Sequence, residues 1–365
     1  MHVVYGGAHL FQAATAAKLG TIALRTLEAH AAAVPELFPP PIYERVAEKL
    51  RREPVEDYRI DFEDGFGYRS DAEEDTHALR AASELLKGMK QGTLPPFIGL
   101  RIKPLTPESC RRALRTLDLF LSTCNGKLPA GFVVTLPKIT SPREVAALAD
   151  ALDALHCDAG IEIMIETPQS LDGRPLAAAA RGRCTAAHFG AYDYTAALGI
   201  VSSHQDLLHP ACDYARYRMQ ESFAGSPVFV ADGATSTLPT GEPDAIHRAM
   251  RLHYHHVTEA LRAGFYQGWD LHPAQLPVRY AAVYSFFAQG LDAAASRLRN
   301  FVAMAAQATR TGDVFDDAAT GQGLLNYFIR AMNCGAMTEQ EAAEASALTA
   351  AELRSASFQQ ILDRR

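Results

Sequence analysis

Residues 131–139 read Gly-Phe-Val-Val-Thr-Leu-Pro-Lys-Ile, and after the helix-patterned Ser141–Leu155 the chain runs Gly-Ile-Glu-Ile-Met-Ile-Glu-Thr at 160–167. Two short β-branched runs joined by an alanine- and leucine-rich stretch form a βα unit, because near-continuous apolar strands belong to parallel sheets covered on both faces. The same alternation extends in both directions. Upstream lie His2–Gly6, Tyr58–Glu63 and Phe97–Lys103; downstream lie Thr185–Ala191, Val228–Asp232 and Gly268–His272. Eight such strands in series predict a (β/α)8 TIM barrel that closes near His272, since eight βα units take about 250 residues. An open doubly wound sheet shares this periodicity. The motifs speak against it: no G-x-G-x-x-G follows the first strand, no G-x-x-x-x-G-K-[ST] occurs, and Gly6-Gly7 alone is too weak. No nucleotide cofactor is therefore expected.

The chain has 365 residues, more than a barrel needs. Part of the surplus is the long first connection, 11–57, where Pro35–Pro41 separates two helical patterns. The rest is a helix-forming segment from Leu276 onward, broken by the turn-like Thr311–Gly323 and resuming at Leu324–Asn333 and Glu339–Ile361. The expected organisation is a barrel over 1–278 and a helical C-terminal arm or lid over 279–365, with a homo-oligomer as the natural assembly.

Composition narrows the function classes. With 48% hydrophobic and 21% charged residues the chain builds a core, which excludes disorder. No run reaches the roughly 18 to 20 apolar residues of a membrane span, and no basic-then-apolar leader is visible, so a cytoplasmic location is expected. The net charge of −7 and the dispersed lysines and arginines argue against nucleic acid as a partner. Six cysteines without a C-x-x-C pair read as reduced, mostly buried thiols.

In a barrel the chemistry sits at the C-terminal ends of the strands, and there the polar residues are few. They are Asp61-Phe62-Glu63-Asp64-Gly65, Arg101, Lys138, Glu166 and Asp193. Two carboxylates on neighbouring strand ends, Glu166 and Asp193, repel each other, and a hard divalent cation such as Mg²⁺ relieves that repulsion while keeping several waters. The bland alternative is that Glu166 caps the following helix and Asp193 pairs with a lysine or arginine. Arg101 suits bidentate recognition of a carboxylate or a developing enolate, or else an ion pair with Glu63 or Asp64. Alternation places Asp61 and Glu63 on one strand face and Asp64 at the start of the loop.

These blocks resemble the citrate lyase beta-subunit-like branch of the HpcH/HpaI aldolase family, Mg²⁺-dependent carbon–carbon lyases on (β/α)8 barrels. Ile60-Asp61-Phe62-Glu63-Asp64-Gly65 is similar to that family's D-L-E-D-A block and Leu100-Arg101-Ile102 to its V-R-[IV]. Leu136-Pro137-Lys138, Ile165-Glu166-Thr167-Pro168 and Phe189-Gly190-Ala191-Tyr192-Asp193-Tyr194 resemble the next three in order, and Leu271-His272-Pro273-Ala274-Gln275 a late I-H-P-x-Q. The resemblance implies metal ligation by Glu166 and Asp193, with Mg²⁺ or Mn²⁺ as cofactor. It implies carboxylate and enolate binding by Arg101, a supporting substrate contact from Lys138, and an outer shell of Glu63 and Asp64 around metal-bound water. Val314-Phe315-Asp316-Asp317-Ala318 resembles a C-terminal block whose aspartate transfers a proton, which makes Asp316, or next Asp317, the expected acid–base group, with metal-bound hydroxide as the alternative base and an ordinary turn role as the alternative for the aspartates. The implied substrate is a small keto or hydroxy acid, free or as an acyl-CoA.

The sequence also departs from the family. Arg101 is followed by Ile102-Lys103-Pro104 rather than by an asparagine two places on, which bears on acyl-CoA recognition, and the class II histidine base is missing from Asp61–Gly67. A Claisen-type synthase or acyl-CoA thioesterase, and a non-catalytic metal-binding barrel, are the competing readings. Elsewhere the bland readings are preferred. His253, His255 and His256 read as ordinary helix residues rather than a metal site, His272 and Trp269 as structural, and Asp71–Asp75 as the acidic first turn of a helix. The loop Asp232–Thr237 reads equally as solvated or as contacting a substrate anion.

Overall fold

The computed structural model describes residues 2–304, 309–311, 314–316 and 318–362. Each predicted apolar run forms a strand: β1 (His2–Gly7), β2 (Asp57–Asp61), β3 (Phe97–Arg101), β4 (Val133–Leu136), β5 (Gly160–Ile165), β6 (Cys184–Phe189), β7 (Phe229–Ala234) and β8 (Gly268–Asp270). They pair in parallel in chain order and β8 returns to β1, closing a barrel. The fold is a (β/α)8 barrel with additional C-terminal helices, as the sequence predicts.

Several strands are shorter than their apolar runs suggest. The backbone leaves the ladder where its amides find other acceptors or where proline removes a donor: β2 stops at Asp61, whose side chain captures the Glu63 and Gly65 amides, and β4 stops before Pro137. Glu63, Lys138 and Glu166 therefore stand on the loops just beyond the strands, and Asp193 in the first turn of the helix Ala191–Ala197. The expectation that Glu63 shares a strand face with Asp61 is corrected accordingly.

Between strands the helices follow their sequence signals. Ser141 caps the helix Pro142–Ala154 by accepting from the Arg143 amide, with proline in the first turn, where its missing N–H costs nothing. Ser70 and Glu73 form a reciprocal cap on the helix Asp71–Gln91, which confirms the acidic first turn. The long first connection holds the helices Thr15–His30 and Pro40–Arg52, on either side of the proline-rich break.

After the barrel, the helix Leu276–Ala303 leads to an antiparallel pair, β9 (Thr309–Thr311) and β10 (Val314–Asp316), and then to the helices Ala318–Asn333, Glu339–Ser346, Ala350–Ser355 and Phe358–Leu362. The stretch expected to be turn-like is thus a short hairpin followed by helix. Its glycines mislead because Gly321 serves close packing: a Cβ there would stand 2.6 Å from the Phe301 ring and 2.7 Å from Phe358. One apolar core runs continuously from Phe120 and Ile163 at the barrel to Phe287, Leu325, Phe328 and Leu353 in the C-terminal helices. Arg45 of the first connection also donates to the Ala336 carbonyl at 2.9 Å. No helix among the described residues is long and apolar enough to cross a membrane.

Candidate active site

The barrel interior beneath the C-terminal mouth is polar and closed. Glu162 on β5, fully buried, accepts from Arg59 Nε at 3.1 Å and Nη2 at 2.5 Å, from the Tyr5 hydroxyl at 2.9 Å and from the Thr135 hydroxyl at 2.7 Å. His188 Nε2 lies 3.0 Å from its other oxygen. The Trp269 indole, which can only donate, points at His188 Nδ1 at 3.2 Å, so the imidazole proton resides on Nε2. Burial alone would raise the Glu162 carboxyl, but Arg59 and His188 hold it well below the usual carboxylate range. This layer is a fixed floor for the mouth above it.

Arg101 stands on that floor, its guanidinium 4.7 Å from the Tyr5 ring centroid and 5.7 Å from that of Trp269. It is 3% exposed. Nε and Nη2 donate to the two oxygens of Asp61 at 2.7 and 2.5 Å, leaving Nη1 directed at Glu63 Oε2 at 3.2 Å and Asp64 Oδ2 at 3.7 Å. Asp61 also accepts the amides of Glu63 at 2.9 Å and Gly65 at 2.7 Å. Four donors saturate this carboxylate, so it orients Arg101 and folds the Glu63–Gly65 turn rather than facing the cavity. Sequence reasoning grouped Asp61 with Glu63 and missed this role, because the spacing does not show which carboxylate is consumed by the backbone.

Lys138 gathers the other residues. It has φ +50, a conformation rare for a residue other than glycine, and this kink aims its amide at Glu166 Oε1, 2.5 Å away. Its ammonium is bonded to Glu63 and lies 3.3 Å from both Asp64 oxygens and 3.6 Å from Asp193 Oδ1. Glu166 is 1% exposed, and its Oε2 has no hydrogen-bond partner. Burial, with the like charge of Asp193 adding to it against Lys138 and Arg101, pushes the Glu166 carboxyl up to about 8. Burial likewise raises Glu63 to about 7 against the pull of Arg101, while Asp64, hydrogen-bonded by Glu63 and faced by Lys138, is held low.

The bland role for Glu166 fails: Thr167 caps the turn Pro168–Leu171 by accepting from the Ser170 amide, and the Thr167 hydroxyl ties the end of β5 to the Ile139 carbonyl at 2.5 Å. The one for Asp193 holds in part, since Lys138 is its ion-pair partner. Gly190 keeps the space beside Glu166 open, because a Cβ there would lie 2.4 Å from Oε2. Asp316 ends β10, with its side chain outside what is described, and Asp317 lies outside the described residues.

A pair of carboxylates, one carrying a buried orphaned oxygen, suits a hard divalent ion that retains water ligands. Glu166 and Asp193 are the residues available to hold it. Among the described residues no group of three or more His, Cys, Asp or Glu side chains converges as a complete protein cage.

Other polar features near the mouth are tied mainly to one another. His253, fully buried, links the Thr235 hydroxyl at 2.8 Å to Asp270 Oδ1 at 3.0 Å, and Asp270 is bonded by Arg279 at 2.6 Å. Of the stretch Asp232–Thr237, residues Asp232–Ala234 complete β7 rather than form a loop; Asp232 is paired with Arg216 at 2.8 Å, Thr235 is buried between His253 and His256, and the Ser236 amide donates to Tyr192 at 2.9 Å. That stretch is therefore neither simply solvated nor free to grip an anion with these groups. Gln275 clamps the ends of β7 and β8, donating to the Thr235 carbonyl at 2.9 Å and accepting from the Leu271 amide at 2.8 Å, and His272 caps the turn Pro273–Gln275. Lys103 turns away to Glu74 and the Phe62 carbonyl. The six cysteines are free thiols, all buried but Cys110.

Fold and site together define a (β/α)8 barrel with a carboxylate, guanidinium and ammonium cluster at the C-terminal ends of β2 to β6. The chain belongs to the family described as Domain of unknown function (DUF6986), whose model matches residues 1–361. No curated protein matches it. Among solved structures, a citrate lyase from Burkholderia xenovorans LB400 aligns with TM-score 0.64 at 21% identity, covering 83% of this chain and 91% of that one. The magnesium/glyoxylate complex of Haloferax volcanii malate synthase aligns with TM-score 0.52 at 14% identity over 100% and 96%. At these identities the likeness establishes the barrel, and function rests on the site.

Proposed function

We propose that the chain is a Mg²⁺- or Mn²⁺-dependent carbon–carbon lyase that cleaves or forms a β-hydroxy acid through an enolate. The observation that carries this reading is the buried, unpartnered Oε2 of Glu166 beside Asp193, in a mouth that also holds Arg101 and Lys138. The neighbours support it in kind, one being a citrate lyase and the other a malate synthase with magnesium and glyoxylate. A cation on Glu166 and Asp193 would supply Lewis-acid stabilisation of the enolate oxygen. Arg101, pinned along one edge by Asp61, presents Nη1 to a substrate carboxylate or to the charge that builds as the bond breaks. Its aromatic floor keeps that donor from swinging away. Lys138 supplies a second positive group for the acid. Glu63, raised toward neutrality, can hold or release a proton beside Arg101, and Asp316 or Asp317 remains the proposed proton-transfer group from the C-terminal segment.

Calorimetric titration of Mg²⁺ followed by oxalate or pyruvate, on the native chain and on Glu166→Ala, tests the site. Metal-dependent oxalate binding that disappears in the variant is the expected result; absence of metal binding in both proteins refutes the reading. A Claisen-type synthase on the same residues is the second reading, favoured by an alignment with malate synthase that spans the whole chain. Product analysis separates them, because a synthase releases free CoA from a thioester and a lyase does not.

A further inference from the structure

Lys138 occupies an unusual place for a substrate contact: its ammonium lies among Glu63, Asp64 and Asp193, while its own backbone amide grips Glu166. One residue thus touches both carboxylates assigned to the metal. We propose that the Lys138 ammonium is a resident counter-cation that competes with the divalent ion, holding the carboxylate cluster together without metal and lowering metal affinity. The inference rests on the metal reading above and concerns what sets the strength of that site.

The geometry supports competition. Glu63 is almost buried and Glu166 fully so, and whatever negative charge these carboxyl groups carry in such a space needs a positive partner. Arg101 cannot serve the Asp193 side, because Asp61 consumes two of its nitrogens and Nη1 faces Glu63. Among the described residues, Lys138 is the cation that reaches Asp193. It is also partly exposed and carried on a flexible four-carbon stem, so it can withdraw toward Glu63 and Asp64 when a dication arrives. A fixed guanidinium could not. Two positive charges cannot both sit against Asp193 without mutual repulsion, and their exchange makes metal binding weaker than the carboxylates alone would allow.

The test is calorimetric titration of Mg²⁺ alone into the native chain, Lys138→Met and Lys138→Arg at low ionic strength. Removing the charge in Lys138→Met is expected to tighten Mg²⁺ binding about tenfold, the order for one unit charge beside a dication in a solvent-open site, and the gain shrinks as salt is added. Lys138→Arg keeps the charge on a bulkier, less readily withdrawn group and is expected to bind Mg²⁺ no more tightly than the native chain, which separates charge from lost packing. Should Lys138→Met prove unstable, Lys138→Gln carries the same expectation. If the native chain binds Mg²⁺ and the neutral variants bind it equally or more weakly, competition is overturned and the metal site stands. Binding by Lys138→Met but not by the native chain supports both, whereas binding by none of the proteins overturns both.

Discussion

Replacing Glu166 by glutamine should make the metal-free protein more stable while abolishing the proposed metal site. The carboxyl is fully buried and raised to about 8 from an ordinary 4.5, so the folded state binds its proton more tightly than the unfolded chain does. The sign follows from linkage. A carboxyl raised on folding adds nothing unfavourable below pH about 4.5, and its contribution is progressively lost as pH rises through about 8. At about 1.4 kcal/mol per pH unit, the ceiling of that loss is about 5 kcal/mol. Glutamine removes the term and keeps a carbonyl to accept from the Lys138 amide, but it places an amide where Oε2 stood, at a cost of roughly 1–2 kcal/mol. The net gain at pH 8.5 is about 3 kcal/mol. For a chain of this length that is a rise in Tm of about 4 °C, which vanishes between about pH 5 and 6 and turns into a fall of about 2 °C at lower pH, where only the cost of the amide remains. Scanning calorimetry at pH 8.5 and pH 5, with and without 10 mM Mg²⁺, reads all of it. Mg²⁺ should raise the Tm of the native chain and leave the variant unmoved, since only a state that binds ligand is stabilised by it. A variant less stable than the native chain at pH 8.5 without metal, or one stabilised by Mg²⁺ equally, would refute the claim that a buried, only partly compensated carboxylate stands there ready for a cation.

Three further outcomes follow from the same geometry. Asp61→Asn strips Arg101 of its bidentate partner inside the protein, so stability should fall by about 3 kcal/mol and Mg²⁺-dependent oxalate binding should weaken, as thermal unfolding and calorimetry would show. Gly190→Ala puts a methyl 2.4 Å from Glu166 Oε2, and Mg²⁺ affinity should drop by at least tenfold while far-ultraviolet circular dichroism is unchanged. His253 is depressed by burial against the pull of Asp270, so it stays neutral when folded and takes a proton when unfolded. The stability it contributes is complete above pH about 6.5 and is lost as pH falls below that, so His253→Asn should flatten the decline in Tm between pH 7 and 5.

The barrel was legible because its signal is repeated: eight short apolar runs, each followed by a helical pattern, leave few parallel arrangements. The site was legible only as a set of residues. Glu166, Asp193, Arg101, Lys138, Glu63 and Asp64 do meet at one mouth, since each stands at or just past the end of a strand. What the one-dimensional pattern did not carry is the order of precedence among like charges. Asp61, Glu63 and Asp64 are interchangeable as letters, yet one is saturated by four donors, one is raised toward neutrality and one is held ionised. The difference comes from which backbone amides the turn exposes and which strand carries the arginine, and both are settled only when the barrel closes. The Thr311–Gly323 stretch fails for a related reason, because a glycine that allows two helices to approach is indistinguishable in sequence from one that ends a helix. Lys138 combines both lessons. Its letter predicts a cation at the mouth, but its left-handed backbone turns the amide onto Glu166 while the ammonium reaches Asp193, so its backbone, as well as its charge, shapes the site.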